Sequence, residues 1–190
     1  AQRQDNRKMH TIHHPAVPFI HPIHEPLQDG CVIKINGHVE EGYYEDFAIE
    51  LLSGPHIVLH VNFRFRHHEH ALVVNAASHG CWGPEVRVHN PLHHGEHFQI
   101  AIRVHHSHYD IEVNGEMVTE FEHRFPFFTV QAVGIKGVVD IHDVEFHGFN
   151  FERPWDGDFD FGHDGYVNYG TADYIPPCFQ EDHPYFQHFC

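Results

Sequence analysis

Residues 57–66 read IVLHVNFRFR, a stretch in which apolar and polar side chains alternate. Leu59, Val61, Phe63 and Phe65 fall on one side of an extended chain, and His60, Asn62, Arg64 and Arg66 on the other. A period of two is the signature of a half-buried β-strand. The apolar side can build a core. The polar side lines up an imidazole, an amide and a guanidinium in consecutive outward positions.

The same rhythm recurs on both sides of this stretch. CVIKING, DFAIELLSG, HALVVN, EVRVHNPLHHG, HFQIAIRV, YDIEVNGEMVTEF, FTVQAVGIKG and VVDIHDVEFHGF are short alternating runs closed by turn residues, and none has a long helical period. Asn36-Gly37 and Asn114-Gly115 are turn signals, and the second, flanked by alternation, should close a tight hairpin. About ten strands between residues 15 and 150 imply an all-β fold, an antiparallel two-sheet β-sandwich.

The 190 residues suffice for one such domain with a sizeable core and an appendage. Residues 1–14 form an N-terminal arm, in which AQRQDNRK (1–8) reads as a non-native leader and Met9 as the start. After residue 150 the alternation stops. Residues 151–190 hold eleven aromatics and eight acidic residues against the single basic Arg153, with four glycines and four prolines. Charge, glycine and proline favour disorder while aromatics oppose it, so an irregular tail is expected, packed on the sandwich or on a partner.

Eleven basic residues against 27 acidic ones give a formal charge of −16, which excludes nucleic acid and an anionic membrane surface as partners. No apolar run approaches the roughly 18 residues of a transmembrane segment. A charged region followed by an apolar secretory core is lacking too. Cys31, Cys81, Cys178 and Cys190 form no C-x-x-C spacing, and no N-x-[ST] sequon occurs. Free thiols are the expectation. The location expected is cytoplasmic and/or extracellular by a route that needs no signal peptide.

Successive outward positions on a strand stand about 6.5–7 Å apart, so His60, Asn62 and Arg64 span roughly one sugar ring. An imidazole, an amide and a rigid fork of donors suit a hydroxyl, best an axial one that projects sideways into the fork. The next segment adds Asn75, Trp82, Glu85 and Arg87. The indole offers an apolar plate for the C–H face of a sugar. Glu85 and Arg87 share a strand face as a charge-assisted pair. None of these groups is a nucleophile, so the surface is a binding surface.

H-x-N-x-R (60–64), V-x-N (73–75) and W-G-x-E-x-R (82–87), in that order, resemble the carbohydrate-recognition signature of the galectin family. IEVNGEMVTEFEHRFP and VGIKGVVDIHDVEF resemble the family's later strands, so the likeness covers about residues 15–150. The resemblance implies a galectin- and concanavalin-like jelly-roll sandwich whose concave sheet binds β-galactosides without metal. By that resemblance His60, Asn62 and Arg64 hold the axial O4 of galactose, Asn75 and Glu85 reach O6, and Trp82 stacks on the ring. Glu85, Arg87 and Arg64 contact O3 of the adjoining sugar, and Val73 packs beneath the ring. The partners implied are galactose-containing glycans of glycolipids and glycoproteins, with a homo-oligomer left open. Two positions depart from the family pattern. Phe63 stands where the family has proline, and FRHHEHALVV (65–74) is a short link beside the second-sugar subsite.

Blander readings compete. A single outward His, Asn or Arg is more often solvated surface, and a single Trp more often core. With 25 histidines, pairs such as His68/His70 and His106/His108 arise by chance, and no four-ligand set is visible, so no metal and no cofactor are expected. Asp110 and Glu112 share a strand face, but nothing marks the paired carboxyls of a glycosidase or a nucleophile elbow, so no enzyme is expected. The alternatives to a lectin are a member of the same fold with a blocked or altered site serving as a structural module, and a histidine-rich metal-binding protein.

Overall fold

The computed structural model describes residues 9–42, 45–155 and 169–173. These contain thirteen strands: β1 (Met9–His13), β2 (Phe19–Pro22), β3 (Val32–His38), β4 (Phe47–Ser53), β5 (His56–Phe63), β6 (Ala71–Ser78), β7 (Cys81–Trp82), β8 (Val86–His89), β9 (His97–Val104), β10 (His108–Val113), β11 (Glu116–Glu122), β12 (Ala132–Gly137) and β13 (Asp140–His147). One 3₁₀ turn, Phe127–Thr129, is the sole helical element among the described residues. No helix there is long and apolar enough to cross a membrane.

The strands form two antiparallel sheets. One is six-stranded, in the order β1-β13-β3-β9-β10-β11; the other is seven-stranded, running β2-β12-β4-β5-β6-β7 with β8 also paired to β6. This is the expected two-sheet sandwich. Alternation decides which residues meet between the sheets. Ile33 and Ile35 of β3, Ile100 and Ile102 of β9, Val61 and Phe63 of β5, and Ile49 and Leu51 of β4 are all buried in one core cluster. Phe63, the residue in the family's proline position, is fully buried and stacks on Phe47 at 4.9 Å between ring centroids. Burying a side chain of this size stabilises by about 1.5–3 kcal/mol. It points inward, so the outward row on the same strand keeps its alternation.

Two turn signals behaved differently. Asn114 (φ 51°) and Gly115 (φ 84°) close the β10–β11 hairpin, as expected, with both residues in the left-handed region that a two-residue turn requires. Asn36-Gly37 is no turn: both residues lie inside β3. The glycine answers a different need. A Cβ at position 37 would collide with the Asp140 carbonyl on β13, so the residue permits a close approach of two backbones. The register between these strands shifts between Ile141 and Asp143.

Part of the tail packs back. Trp155 is buried among Phe146, Phe149, Phe151 and His10, and Glu25 accepts hydrogen bonds from the Asn150 and Phe151 amides. Tyr169 sits in a second apolar cluster with Leu52, Ile57, Ala77 and Ala132, and the Gly170 amide donates to the Gly54 carbonyl while its own carbonyl accepts from the Gly80 amide. The rest of the expected tail, including Cys178 and Cys190, lies outside the described residues. The free-thiol expectation is corrected at one site. Cys31 is free and buried, but Cys81 is disulfide-bonded.

Candidate functional site

Strand register assembles the site on the outer face of the seven-stranded sheet. His60 on β5 lies between Glu50 of β4 and Asn75 of β6. Asn62 lies opposite Val73, which in turn faces Arg87 on β8. The row read along one strand thus becomes a patch across four. Trp82 on β7 stands beside it, with its ring 4.7 Å from that of His60 at an interplanar angle of 60°. At 49% exposure it is one of the few large apolar side chains left open to solvent. Glu85 and Arg87 are exposed, Arg64 is partly buried, and Asn62, Val73 and Asn75 are buried.

The polar groups are held in place by further contacts. His60 Nδ1 lies 2.7 Å from Glu50 Oε2, and Glu50 Oε1 lies 3.1 Å from Lys136 Nζ. Glu50 is completely buried. Burial alone would push its carboxyl up, but the His60 hydrogen bond, with the His60 and Lys136 charges, brings it below the ordinary carboxylate range. A carboxylate there accepts a hydrogen bond from Nδ1–H of His60 and leaves Nε2 as the ring's free nitrogen. Asn62 Nδ2 donates to the Phe47 carbonyl at 3.1 Å, and its Oδ1 accepts from Arg64 Nε at 2.6 Å.

Glu69 ties the two arginines together. It accepts from Arg64 Nη1 at 2.6 Å and from Arg87, and hydrogen bonds from Arg87 and then Arg64 hold its carboxyl below the ordinary range. Glu85 accepts from Arg87 at 2.6 Å and lies 3.8 Å from Arg64 Nη2. Asn75 is equally committed: Nδ2 donates to Gly83 O, while Oδ1 accepts from the Ala76 amide and from Arg124 Nη1, each bond 2.8 Å long. Arg124 also donates to the Pro84 carbonyl at 2.6 Å, which fastens the turn carrying Trp82 and Glu85. Asn90 Nδ2 donates to the Arg64 carbonyl from below.

All eight residues singled out in the sequence therefore fall on or beside one patch, and Glu50, Glu69, Asn90, Arg124 and Lys136 join them unannounced. Glu50 had a visible signal, as an acid in the middle of the apolar run Phe47–Leu52. Glu69, in a histidine-rich link, had none. A β-sandwich that displays fixed hydrogen-bonding groups beside an exposed indole, with no nucleophile among them, has the surface of a lectin.

The comparisons make the class specific. Residues 18–146 match the family model described as galactoside-binding lectin. The chain is 51% identical over 181 residues to "Probable galaptin lec-8" of Caenorhabditis elegans, covering 95% of this chain and all of that one. It is 46% identical over 147 residues to "Probable galaptin lec-7" of the same organism, covering 77% and 82% of the two chains. Among solved structures, that of C. elegans galectin LEC-6 superposes with a TM-score of 0.68 at 27% identity, over 73% of this chain and 96% of that one. The chain belongs to the galactoside-binding lectin family, the galectins.

Proposed function

We propose that this protein binds β-galactosides through the patch on β4–β8 and performs no chemistry on them. The observation that carries the reading is the pre-set orientation of its free hydrogen-bonding positions. His60 presents Nε2, because Glu50 occupies Nδ1. Arg64 has Nε on Asn62 and Nη1 on Glu69, which leaves Nη2 to point at ligand. Together with Asn62 these groups surround one hydroxyl with donors and an acceptor, the need of an axial galactose O4. Both acceptor positions of Asn75 Oδ1 are occupied, so Asn75 serves O6 as a donor through its second Nδ2 hydrogen, with Glu85 as the acceptor. Trp82 supplies the plate for the sugar's apolar face, and Val73 the floor. Arg64, Glu85 and Arg87 meet O3 of the adjoining sugar.

Each sugar hydrogen bond replaces one to water and nets only about 1 kcal/mol, so a single site binds a disaccharide in the millimolar-to-micromolar class. Avidity for glycolipids and glycoproteins then comes from several sites held together, a homo-oligomer being the simplest arrangement. The carboxylates that share a strand face, Asp110 and Glu112, are engaged by His105 and His108 and by Arg103, which supports a non-enzymatic reading. The bonded Cys81 favours an oxidising, extracellular setting over a reducing cytoplasmic one.

Calorimetric titration with lactose tests the assignment. Arg64→Ala and Trp82→Ala should each weaken binding by roughly 10- to 100-fold, the size of a lost charged hydrogen bond or an aromatic platform, while circular dichroism stays native. Unchanged affinity in both variants would remove the site assignment.

A further inference from the structure

On the opposite side of the molecule, the outer face of the six-stranded sheet carries a second cluster of imidazoles that the sugar site does not use. Register sets Asp140 of β13 opposite His38 of β3, and His38 opposite His97 of β9. The irregularity between Ile141 and Asp143 lets two consecutive residues of β13 face outward. His142 turns to His38 and His97, and Asp143 accepts from Asn36 Nδ2 at 2.6 Å. His38, His97 and His142 each offer one ring nitrogen, and the three nitrogens lie within 4.8 Å of one another. His38 Nδ1 is 3.2 Å from His142 Nε2 and 3.2 Å from Asp140 Oδ2, and Asp140 Oδ2 is 3.6 Å from His142 Nε2.

We infer that His38, His97 and His142, with the Asp140 carboxylate beside them, form a binding site for a divalent zinc-like cation on the face remote from the sugar patch. Zinc takes imidazole nitrogen at about 2.0–2.1 Å in a tetrahedron, so neighbouring ligand atoms stand roughly 3.3 Å apart. The 3.2 Å between His38 Nδ1 and His142 Nε2 matches that spacing, with the His97 nitrogen within 4.8 Å of both, and three imidazoles form a donor set that suits zinc, nickel or copper and not magnesium or calcium. Charge favours the same outcome. Three imidazoles this close repel one another when protonated, whereas neutral rings can turn their lone pairs to a shared cation. Asp140 offsets one positive charge directly. Asp143 and Glu145, both held by Asn36, lie along the same strand, and the chain as a whole carries −16.

A second group, His105, His108 and Asp110, is less apt. There His105 Nε2 and His108 Nε2 lie 2.7 and 3.2 Å from the two oxygens of a single carboxylate, as ordinary histidine–aspartate pairs do. The ligands of the proposed site come from three strands, so a bound ion ties β3, β9 and β13 together and stabilises the fold by mass action.

The test uses the full chain, freed of metal by dialysis against chelator, and titrated with Zn²⁺ alone and, in parallel, with Co²⁺ followed by its visible absorption. One equivalent should bind with micromolar or tighter affinity, with the intense visible bands of tetrahedral Co²⁺, and Zn²⁺ should raise the melting temperature. His97→Ala and His142→Ala should each weaken that equivalent at least ~10-fold, and the double variant should lose it with the thermal shift. His97 is exposed, so its replacement leaves the fold intact. His105→Ala/His108→Ala should leave the tight equivalent unchanged. Absence of a tight equivalent, or its survival in the His97→Ala/His142→Ala variant, overturns the proposal, because the ion then sits on other histidines.

Discussion

The two outer faces of this sandwich solve the same problem, gathering polar side chains on a pleated surface, with different chemistry. On the seven-stranded sheet the imidazole, guanidinium and amide groups of the patch have internal partners: Glu50 for His60, Glu69 for Arg64 and Arg87, and Arg124 for Asn75. The surface is pre-set for a neutral ligand with many hydroxyls. On the six-stranded sheet three imidazoles face one another across β3, β9 and β13 with Asp140 as their nearest carboxylate. Paired charges make a template for hydrogen bonds, whereas clustered lone pairs make a receptor for a cation.

The largest way to break the contrast is at Glu50. Glu50→Ala takes the buried carboxylate from Lys136, which is itself half-exposed, and frees the His60 ring to turn, and losing hydrogen bonds to a charged group costs about 1.5–3 kcal/mol. Urea melts should show that loss, and lactose affinity should fall with it. Its pH dependence has a definite sign. The folded carboxyl lies below its ordinary value, so its stabilisation is complete above about pH 4.5 and is lost as pH falls through the folded value. A milder break is Arg124→Ala, which frees Asn75 Oδ1 and the Pro84 carbonyl. Lactose binding should weaken by about three- to tenfold, since one or two hydrogen bonds of about 1 kcal/mol are lost at one remove from the ligand.

Histidine at the joint between sheets responds to acid differently from histidine on a face. His21 of β2 is lowered to about 4, first by burial and then by the nearby His10 and His24. It is neutral in the fold down to that value and protonated in the unfolded chain below about 6.5, so stability should decline between those limits. Melting temperatures recorded from pH 7 to 4 should fall, and His21→Asn should flatten part of the slope. The smallest expected effect sharpens the contrast most. His97→Ala, or chelator in the buffer, should change lactose affinity by less than about twofold, because the two patches lie on opposite sheets.

What could be read in the sequence follows the same division. His60 and Asn62 on β5 and Arg64 just past its end stand two residues apart, as do Glu85 and Arg87, so spacing alone shows a shared face within each set, and Trp82 follows close by. The sandwich was legible for the same reason: alternation is local. The imidazole cluster draws on residues 38, 97 and 142, and only the register of three strands brings them together. Local pairs such as His68/His70 were visible and less informative. Asn36-Gly37 misled because a glycine required for close backbone approach is written with the same letters as one required for a turn. The supports from Glu69 to Arg87 and from Arg124 to Asn75 likewise depend on contacts between separate segments.

The two tryptophans occupy opposite environments, Trp82 open to solvent beside His60 and Trp155 enclosed by phenylalanines. Intrinsic fluorescence of the unlabelled chain therefore contains a reporter and a reference. Ligand covering the first indole should shift its emission to shorter wavelength and shield it from iodide quenching, while the second stays constant until the domain unfolds.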